Sequence, residues 1–118
     1  MISIIFVALV AIEHIYIMVM EMFLWTRPRT MKTFNLTPEF AQSTKSLAAN
    51  QGLYNGFLAA GLIWGLIYPD TSVGQHIQIF FLACVIIAAL YGGVTATRSI
   101  LIKQGLPAVI ALLLVLFL

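Results

Sequence analysis

Four long apolar runs dominate the sequence, and polar residues gather in the connections between them. The runs cover about residues 2–25, 47–68, 77–97 and 100–118. Each is about twenty residues long, which is the length that an α-helix needs to cross the hydrocarbon core of a bilayer. Apolar and polar positions do not alternate within them, which excludes the strands of a membrane barrel. The pattern predicts an all-α polytopic membrane protein with four transmembrane helices in an antiparallel bundle.

The second helix is expected to begin ahead of its apolar run. Thr37, Pro38 and Glu39 combine a capping hydroxyl, a proline for the first helical position and an acid for the first turn. In the last run, Pro107 interrupts the regular backbone hydrogen bonding. We therefore expect one transmembrane domain over residues 1–118, with helices over about 2–25, 38–68, 77–97 and 100–118.

Composition and charge set the environment and the orientation. The chain is 62% hydrophobic and 8% charged, whereas soluble domains are about 25% charged. The basic residues all lie in the first and third connections: Arg27, Arg29, Lys32, Lys45, Arg98 and Lys103. Because four crossings place these two connections on the same side, the positive-inside rule puts them in the cytoplasm and both termini outside. The expected partners are membrane lipids, and nucleic acid is not expected.

Ionisable and amide side chains inside the predicted helices are the candidate functional residues, because an unpaired charge there costs several kcal/mol. The set comprises Glu13, His14 and Glu21 on the first helix, Asn50, Gln51, Tyr54 and Asn55 on the second, and Tyr91 and Arg98 on the third. Arg98 and His14 are the available partners for the acids. Their related depths predict a polar pocket that opens to the cytoplasm. The acids and the imidazole point in different directions from one helix, so no metal site is predicted.

Small residues indicate where helices pack closely. The glycines in question are Gly52, Gly56, Gly61 and Gly65 on the second helix and Gly92 and Gly93 on the third. Such ridges let helix backbones approach each other in a membrane. We expect the second and third helices to pack tightly. Because the ridges lie on more than one face of the second helix, they also suit a homo-oligomer.

One motif is specific enough to indicate a family. It runs Leu47-Ala48-Ala49-Asn50-Gln51-Gly52-Leu53-Tyr54-Asn55-Gly56-Phe57, and it is accompanied by Glu13-His14, Glu21-Met22-Phe23-Leu24-Trp25, Phe40-Ala41 and Thr44-Lys45. These residues resemble an uncharacterised family of small four-helix bacterial membrane proteins, the domain of unknown function thirteen-hundred-and-four. The resemblance covers nearly the whole chain. It implies a four-helix architecture and a multi-pass location in the bacterial inner membrane, and it implies no established activity.

The leading functional hypothesis is that a small amphipathic or lipid-derived molecule binds in the predicted pocket. Glu13, His14 and Glu21 would handle charge or a proton there, and the amides of the second helix would orient polar groups. One alternative is proton- or ion-coupled transport, which requires Glu13 to reach both sides of the membrane in turn. A membrane isomerase or transferase for a lipid-like substrate would use Glu and His as acid and base. The fourth hypothesis is that the protein is a structural or accessory membrane subunit. No motif indicates a cofactor.

Overall fold

The computed structural model describes residues 1–96 and 98–118. The regular secondary structure of these residues is helical, with no β-strand among them. The elements are α1 (Ile2–Phe23), α2 (Pro28–Phe34), α3 (Pro38–Ser43), α4 (Lys45–Ile67), α5 (Thr71–Thr95), a π-helical segment (Leu101–Gly105) and α6 (Leu106–Phe117). They form two compact units. Unit 1 contains Met1–Glu13 and Leu58–Leu118, and unit 2 contains His14–Phe57. The all-α prediction is confirmed.

Unit 1 is built around small and branched apolar side chains. Its core comprises Val7, Val10, Ala11, Leu62, Leu82, Val85, Ala108, Ala111 and Val115. These residues come from the first half of α1, the second half of α4, α5 and α6, so four helical segments bury one apolar stripe each. Alanines at Ala108 and Ala111 are fully buried, which allows α6 to lie close to its neighbours.

In unit 1, the backbone of α4 lies close to the backbone at the start of α5. A Cβ atom built on Gly74 would lie 2.5 Å from the backbone oxygen of Gly65, and one built on Gly65 would lie 2.9 Å from the oxygen of Gly74. The same carbonyl of Gly65 accepts a hydrogen bond from Nε2 of the buried Gln78, at 3.1 Å. A polar side chain of α5 is therefore satisfied by the backbone that the two glycines expose.

Unit 2 contains the second half of α1, the short helices α2 and α3, and the first half of α4. Trp25 connects three of these segments: its ring lies 5.1 Å from that of Phe34, and its Nε1 donates to the hydroxyl of Thr44 at 3.1 Å. The Thr44 hydroxyl in turn donates to the carbonyl oxygen of Phe40 at 2.6 Å. These contacts fix the junction between α3 and α4.

The predicted start of the second helix is confirmed, although the helix is interrupted. The Thr37 hydroxyl accepts from the backbone N–H of Phe40 at 3.2 Å. The chain then leaves helical geometry at Thr44, so the expected helix over 38–68 is α3 followed by α4, which ends at Ile67. The cause is local: the Phe40 carbonyl oxygen accepts from both the backbone N–H and the hydroxyl of Thr44, at 3.0 and 2.6 Å, and such a hydroxyl bond often bends a helix.

Two further boundaries correct the sequence expectations. Helix α5 begins at Thr71 rather than at 77, because the Asp70 side chain accepts from the N–H groups of Ser72 and Val73 at 2.9 and 3.2 Å. The long first connection also contains α2, a helix that the sequence analysis does not predict. It begins with Pro28, and its C-terminal cap is Asn35, whose φ of 58° is left-handed. The expected end of the third helix at 97 lies outside the described residues.

The last apolar run begins with a π turn rather than with regular α-helix. The N–H of Leu106 bonds the carbonyl of Leu101, one residue further back than in an α-helix. Pro107 follows at once and has no N–H, and its ring would clash with the carbonyl four residues earlier in a regular helix. The π turn therefore lies where Pro107 makes α-helical bonding unfavourable, and α6 replaces the expected uniform helix over 100–118.

Among the described residues, two helices are long and apolar enough to cross a membrane, α1 and α5, by length and composition alone. Helix α4 has 23 residues, but amides in its first half make it more polar. The apolar stretch Leu101–Phe117 is shorter than a full span. The structure thus shows an all-helical chain with two membrane-capable helices among the described residues, and four membrane-spanning helices stay a prediction.

Gly74→Ala should destabilise unit 1. The new methyl group would meet the rigid backbone of Gly65 at 2.5 Å, so the helices must separate and the Gln78 bond must lengthen; we expect a loss of about 1–3 kcal/mol. Thermal unfolding of the purified protein in detergent measures this. Gly92→Ala is the matched control on the same helix, because its Cβ would meet only the flexible Ile100 side chain, at 3.3 Å. Equal melting temperatures for both variants would contradict the prediction.

Candidate functional site

The predicted site residues divide between the two units. Glu13, Tyr91 and Arg98 belong to unit 1, whereas His14, Glu21 and the candidates of α4 belong to unit 2. Each unit contains one carboxyl group of α1, in very different surroundings. The two surroundings are therefore described separately.

Glu21 in unit 2 is bound by two amides of α4. Its Oε1 accepts from Nδ2 of Asn55 at 2.6 Å, and its Oε2 accepts from Nε2 of Gln51 at 3.0 Å. The side chain is only 3% exposed. Gln51 and Asn55 are four residues apart on α4, so both amides come from one face on successive turns. The sequence analysis includes these three residues in a larger set of nine candidates, and a functional role for that set stays a prediction.

Two glycines bring α4 close enough to α1 for these bonds to form. A Cβ atom on Gly52 would lie 2.7 Å from Cγ of Met22 and 3.0 Å from Cβ of Glu21, and one on Gly56 would lie 2.6 Å from Sδ of Met18. Gly52 and Gly56 are four residues apart, as are the two amides. The motif from Leu47 to Phe57 thus contains one glycine pair for approach and one amide pair for hydrogen bonding.

The other candidates of unit 2 differ widely in exposure. His14 is 1% exposed and thus a buried core side chain. Asn50 is exposed, although it precedes the bonded Gln51 directly. Tyr54 is 59% exposed, and its ring packs edge-on against that of Phe57 at 5.9 Å. The candidates of unit 2 therefore include two amides bonded to Glu21, one buried imidazole, and the exposed side chains of Asn50 and Tyr54.

Glu13 in unit 1 lies in an open, mostly apolar groove of about 330 Å³. The other lining residues are Phe6, Leu9, Ile102, Leu106, Pro107 and Ile110. Its Oε1 atom is fully buried and has no hydrogen-bond partner within the described residues. An unsatisfied buried polar atom costs about 1–3 kcal/mol. This oxygen is the feature of the groove that most needs an explanation.

Tyr91 and Arg98 do not complete this groove. Tyr91 is 72% exposed, and Arg98 is exposed as well. No ion pair joins Arg98 to Glu13 in the described part of unit 1, where the backbone carbonyl of Arg98 accepts from the N–H of Leu101. The groove residues of α6 and of the π-helical segment were not predicted, because their apolar side chains are indistinguishable in the sequence from lipid-facing ones. The spacing of Ile102, Leu106 and Ile110 is the only signal that could have found them.

No group of three or more His, Cys, Asp or Glu side chains that could hold a metal ion occurs within residues 1–96 and 98–118.

Comparison with known sequences identifies the family. The family described as a protein of unknown function, DUF1304, matches residues 8–116. The chain belongs to this family. The description of this family gives no helix number, location or activity. It therefore corrects the expectation that the resemblance by itself implies four helices and the bacterial inner membrane. Family membership alone supplies neither the four-helix architecture nor the bacterial inner membrane.

A relative of the chain is known from a bacterium. The chain is 35% identical over 113 residues to the uncharacterized protein YpaA of Lactococcus lactis, and the alignment covers 94% of this chain and 93% of that protein. The similarity therefore extends over both units. No solved structure matches the chain significantly.

The Glu21 cluster should be energetically coupled. In a double-mutant cycle of Glu21→Gln and Asn55→Leu, we expect a coupling free energy of about 0.6–1.7 kcal/mol, the range for hydrogen bonds between membrane helices. Unfolding in mixed micelles with increasing denaturing detergent measures it. Asn50→Leu is the control, because Asn50 is an exposed amide on the same helix, and its cycle with Glu21→Gln should show no coupling. Coupling as large for Asn50 as for Asn55 would contradict the geometry.

Proposed function

We propose that this DUF1304 protein binds a small amphipathic molecule in the Glu13 groove of unit 1. The observation that supports the proposal most directly is the buried Glu13 Oε1 atom, which has no hydrogen-bond partner within the described residues. A ligand with a hydroxyl or ammonium group would donate to the Glu13 carboxyl group, whose side chain would turn so that this buried oxygen faces the groove. Its apolar body would lie along the remaining groove, whose other lining residues are all apolar.

The dimensions and the wall of the groove agree with this chemistry. The groove volume of about 330 Å³ lies at the lower end of the range of about 300–1,000 Å³ for small-molecule sites. The groove is open, so a molecule dissolved in the lipid phase can enter it without separation of the helices. Its wall includes Ile102 of the π-helical segment, and isolated π turns within helices are frequent at functional sites. The proposal moves the ligand away from the cytoplasm-facing polar pocket that the sequence predicts.

Glu21 has a different role in this proposal. Both of its carboxyl oxygens accept from amides of the same chain, so it requires no ligand. We propose that Glu21, Gln51 and Asn55 fasten α1 to α4 within unit 2. The fastening role of Glu21 favours a second candidate function, a structural or accessory subunit whose polar residues serve packing alone. The ligand experiment described next distinguishes this function from ligand binding.

We further propose that the chain crosses the bacterial plasma membrane four times, with its basic connections in the cytoplasm and both termini outside. Helices α1 and α5 supply two spans by length and composition. Helix α4 has 23 residues, about 35 Å of rise, and two of its amides are already satisfied by Glu21. The fourth span would be Leu101–Phe117, which needs a thinner or distorted bilayer. The bacterial relative YpaA supports the bacterial location.

Ligand binding should depend on the charge and the donor of the ligand head group. We expect the wild-type protein to bind decylamine more tightly than decanoate, because the decylamine ammonium group has hydrogen-bond donors for the Glu13 carboxyl group and the decanoate carboxylate has none. Glu13→Gln should weaken decylamine binding roughly tenfold, the loss expected for one charge-assisted hydrogen bond. Native mass spectrometry from detergent micelles, with each ligand titrated, measures both effects.

Two further variants complete this test. Ile110→Trp should abolish binding by filling the groove, since Ile110 lines it and belongs to unit 1, whereas the Glu21 cluster belongs to unit 2. Glu39→Gln removes an exposed acid of α3 in unit 2 and should bind decylamine like the wild type. Equal affinities in wild type, Glu13→Gln and Ile110→Trp would exclude a ligand in the groove and leave the accessory-subunit reading.

A further inference from the structure

Unit 2 contains a second groove, of about 580 Å³, that the residues discussed so far do not use. Its lining residues are Tyr16, Met20, Leu24, Arg27, Pro28, Arg29, Thr30 and Thr33. One wall is formed by α1 and the other by α2. The two walls differ sharply in chemistry, and this difference indicates what the groove binds.

The α1 wall of this groove is apolar over two turns. Tyr16, Met20 and Leu24 are four residues apart in succession, so they form one stripe along the helix, about 12 Å long. The stripe extends just past the last residue of α1, Phe23. A stripe of this kind suits an extended hydrocarbon chain that lies parallel to the helix axis.

The α2 wall of this groove is cationic. Arg27 and Arg29 are exposed, and neither forms an ion pair with an acid within the described residues of unit 2. Two guanidinium groups two residues apart can each donate two parallel hydrogen bonds to a phosphate. Thr30, which is 3% exposed, and Thr33 add two hydroxyl-bearing side chains to the same wall.

We propose that this groove binds one anionic phospholipid, with its phosphate on Arg27 and Arg29 and an acyl chain along Tyr16, Met20 and Leu24. Charge complementarity supports the head-group position, and the apolar stripe supports a lipid over free phosphate. The order along the chain fits too, because the arginines follow the end of a membrane-capable helix, where a lipid head group would lie. The inference needs only that α1 lies in a membrane, and it does not depend on a ligand at Glu13.

The test compares three probes on the full chain in neutral detergent by native mass spectrometry. Dioleoyl phosphatidylglycerol should bind as one discrete molecule, at least about tenfold more tightly than dioleoyl phosphatidylcholine, since the choline group cancels the phosphate charge. Glycerophosphate, which has the head group without the acyl chains, should bind far more weakly. Equal affinity for the two lipids would overturn the proposal, and glycerophosphate binding as tight as phosphatidylglycerol would show a free-phosphate site instead.

Matched variants assign the binding to the groove. Arg27→Gln with Arg29→Gln should weaken phosphatidylglycerol binding at least about tenfold, because each lost guanidinium removes charged hydrogen bonds. Lys45→Gln, which removes an exposed cation of the same unit outside the groove, should leave it unchanged. Should the double variant fail to fold by circular dichroism, the two single variants provide the same comparison. An equal loss in Lys45→Gln would indicate unspecific attraction and overturn the proposal.

Discussion

A carboxyl group buried among apolar helices needs hydrogen-bond donors, and this constraint organises both units of the chain. Helix α1 has two such groups, Glu13 and Glu21. Glu21 receives one donor on each oxygen from successive turns of α4, and two glycines supply the close approach that those bonds require. Glu13 lines a groove with apolar walls, and its Oε1 atom has no donor within the described residues. The same residue type therefore fastens helices in one unit and stays available in the other.

The sequence predicts the helical class because its apolar runs are long and continuous, and it predicts the helix start at Thr37 because the cap residues are local. It also places Glu21, Gln51 and Asn55 at related depths, within a larger set of candidate residues. It does not predict α2, because seven residues are too few to show an apolar periodicity, and it does not predict the start of α5 at Thr71, because that start depends on the Asp70 cap. Polar residues at one depth also appear equivalent in a sequence. The rotation of each helix about its own axis decides which of their side chains contact a neighbouring helix, and Asn50 and Tyr91 are exposed for this reason.

Glycine positions show the same dependence on three-dimensional arrangement. All six glycines of the predicted ridges lie against side chains or backbone of this chain: Gly52 and Gly56 against α1, Gly61 and Gly65 against α5, and Gly92 and Gly93 against Ile100 and Leu101. The tight approach of α4 and α5 agrees with the prediction. A homo-oligomer stays a prediction, and it would need surfaces other than these glycines, because their free space is already occupied within the chain.

The π turn before Pro107 makes the Glu13 groove sensitive to chain length. A π turn holds one more residue between bonded groups than an α turn does. Deleting one residue from Leu101–Gly105 would restore α-helical spacing and turn the preceding segment by about 100° relative to α6. Ile102 would then leave the groove, while Leu106 and Ile110 would keep their places. An aligned relative with a one-residue gap at this point would thus have a differently shaped groove, even if every lining residue were identical.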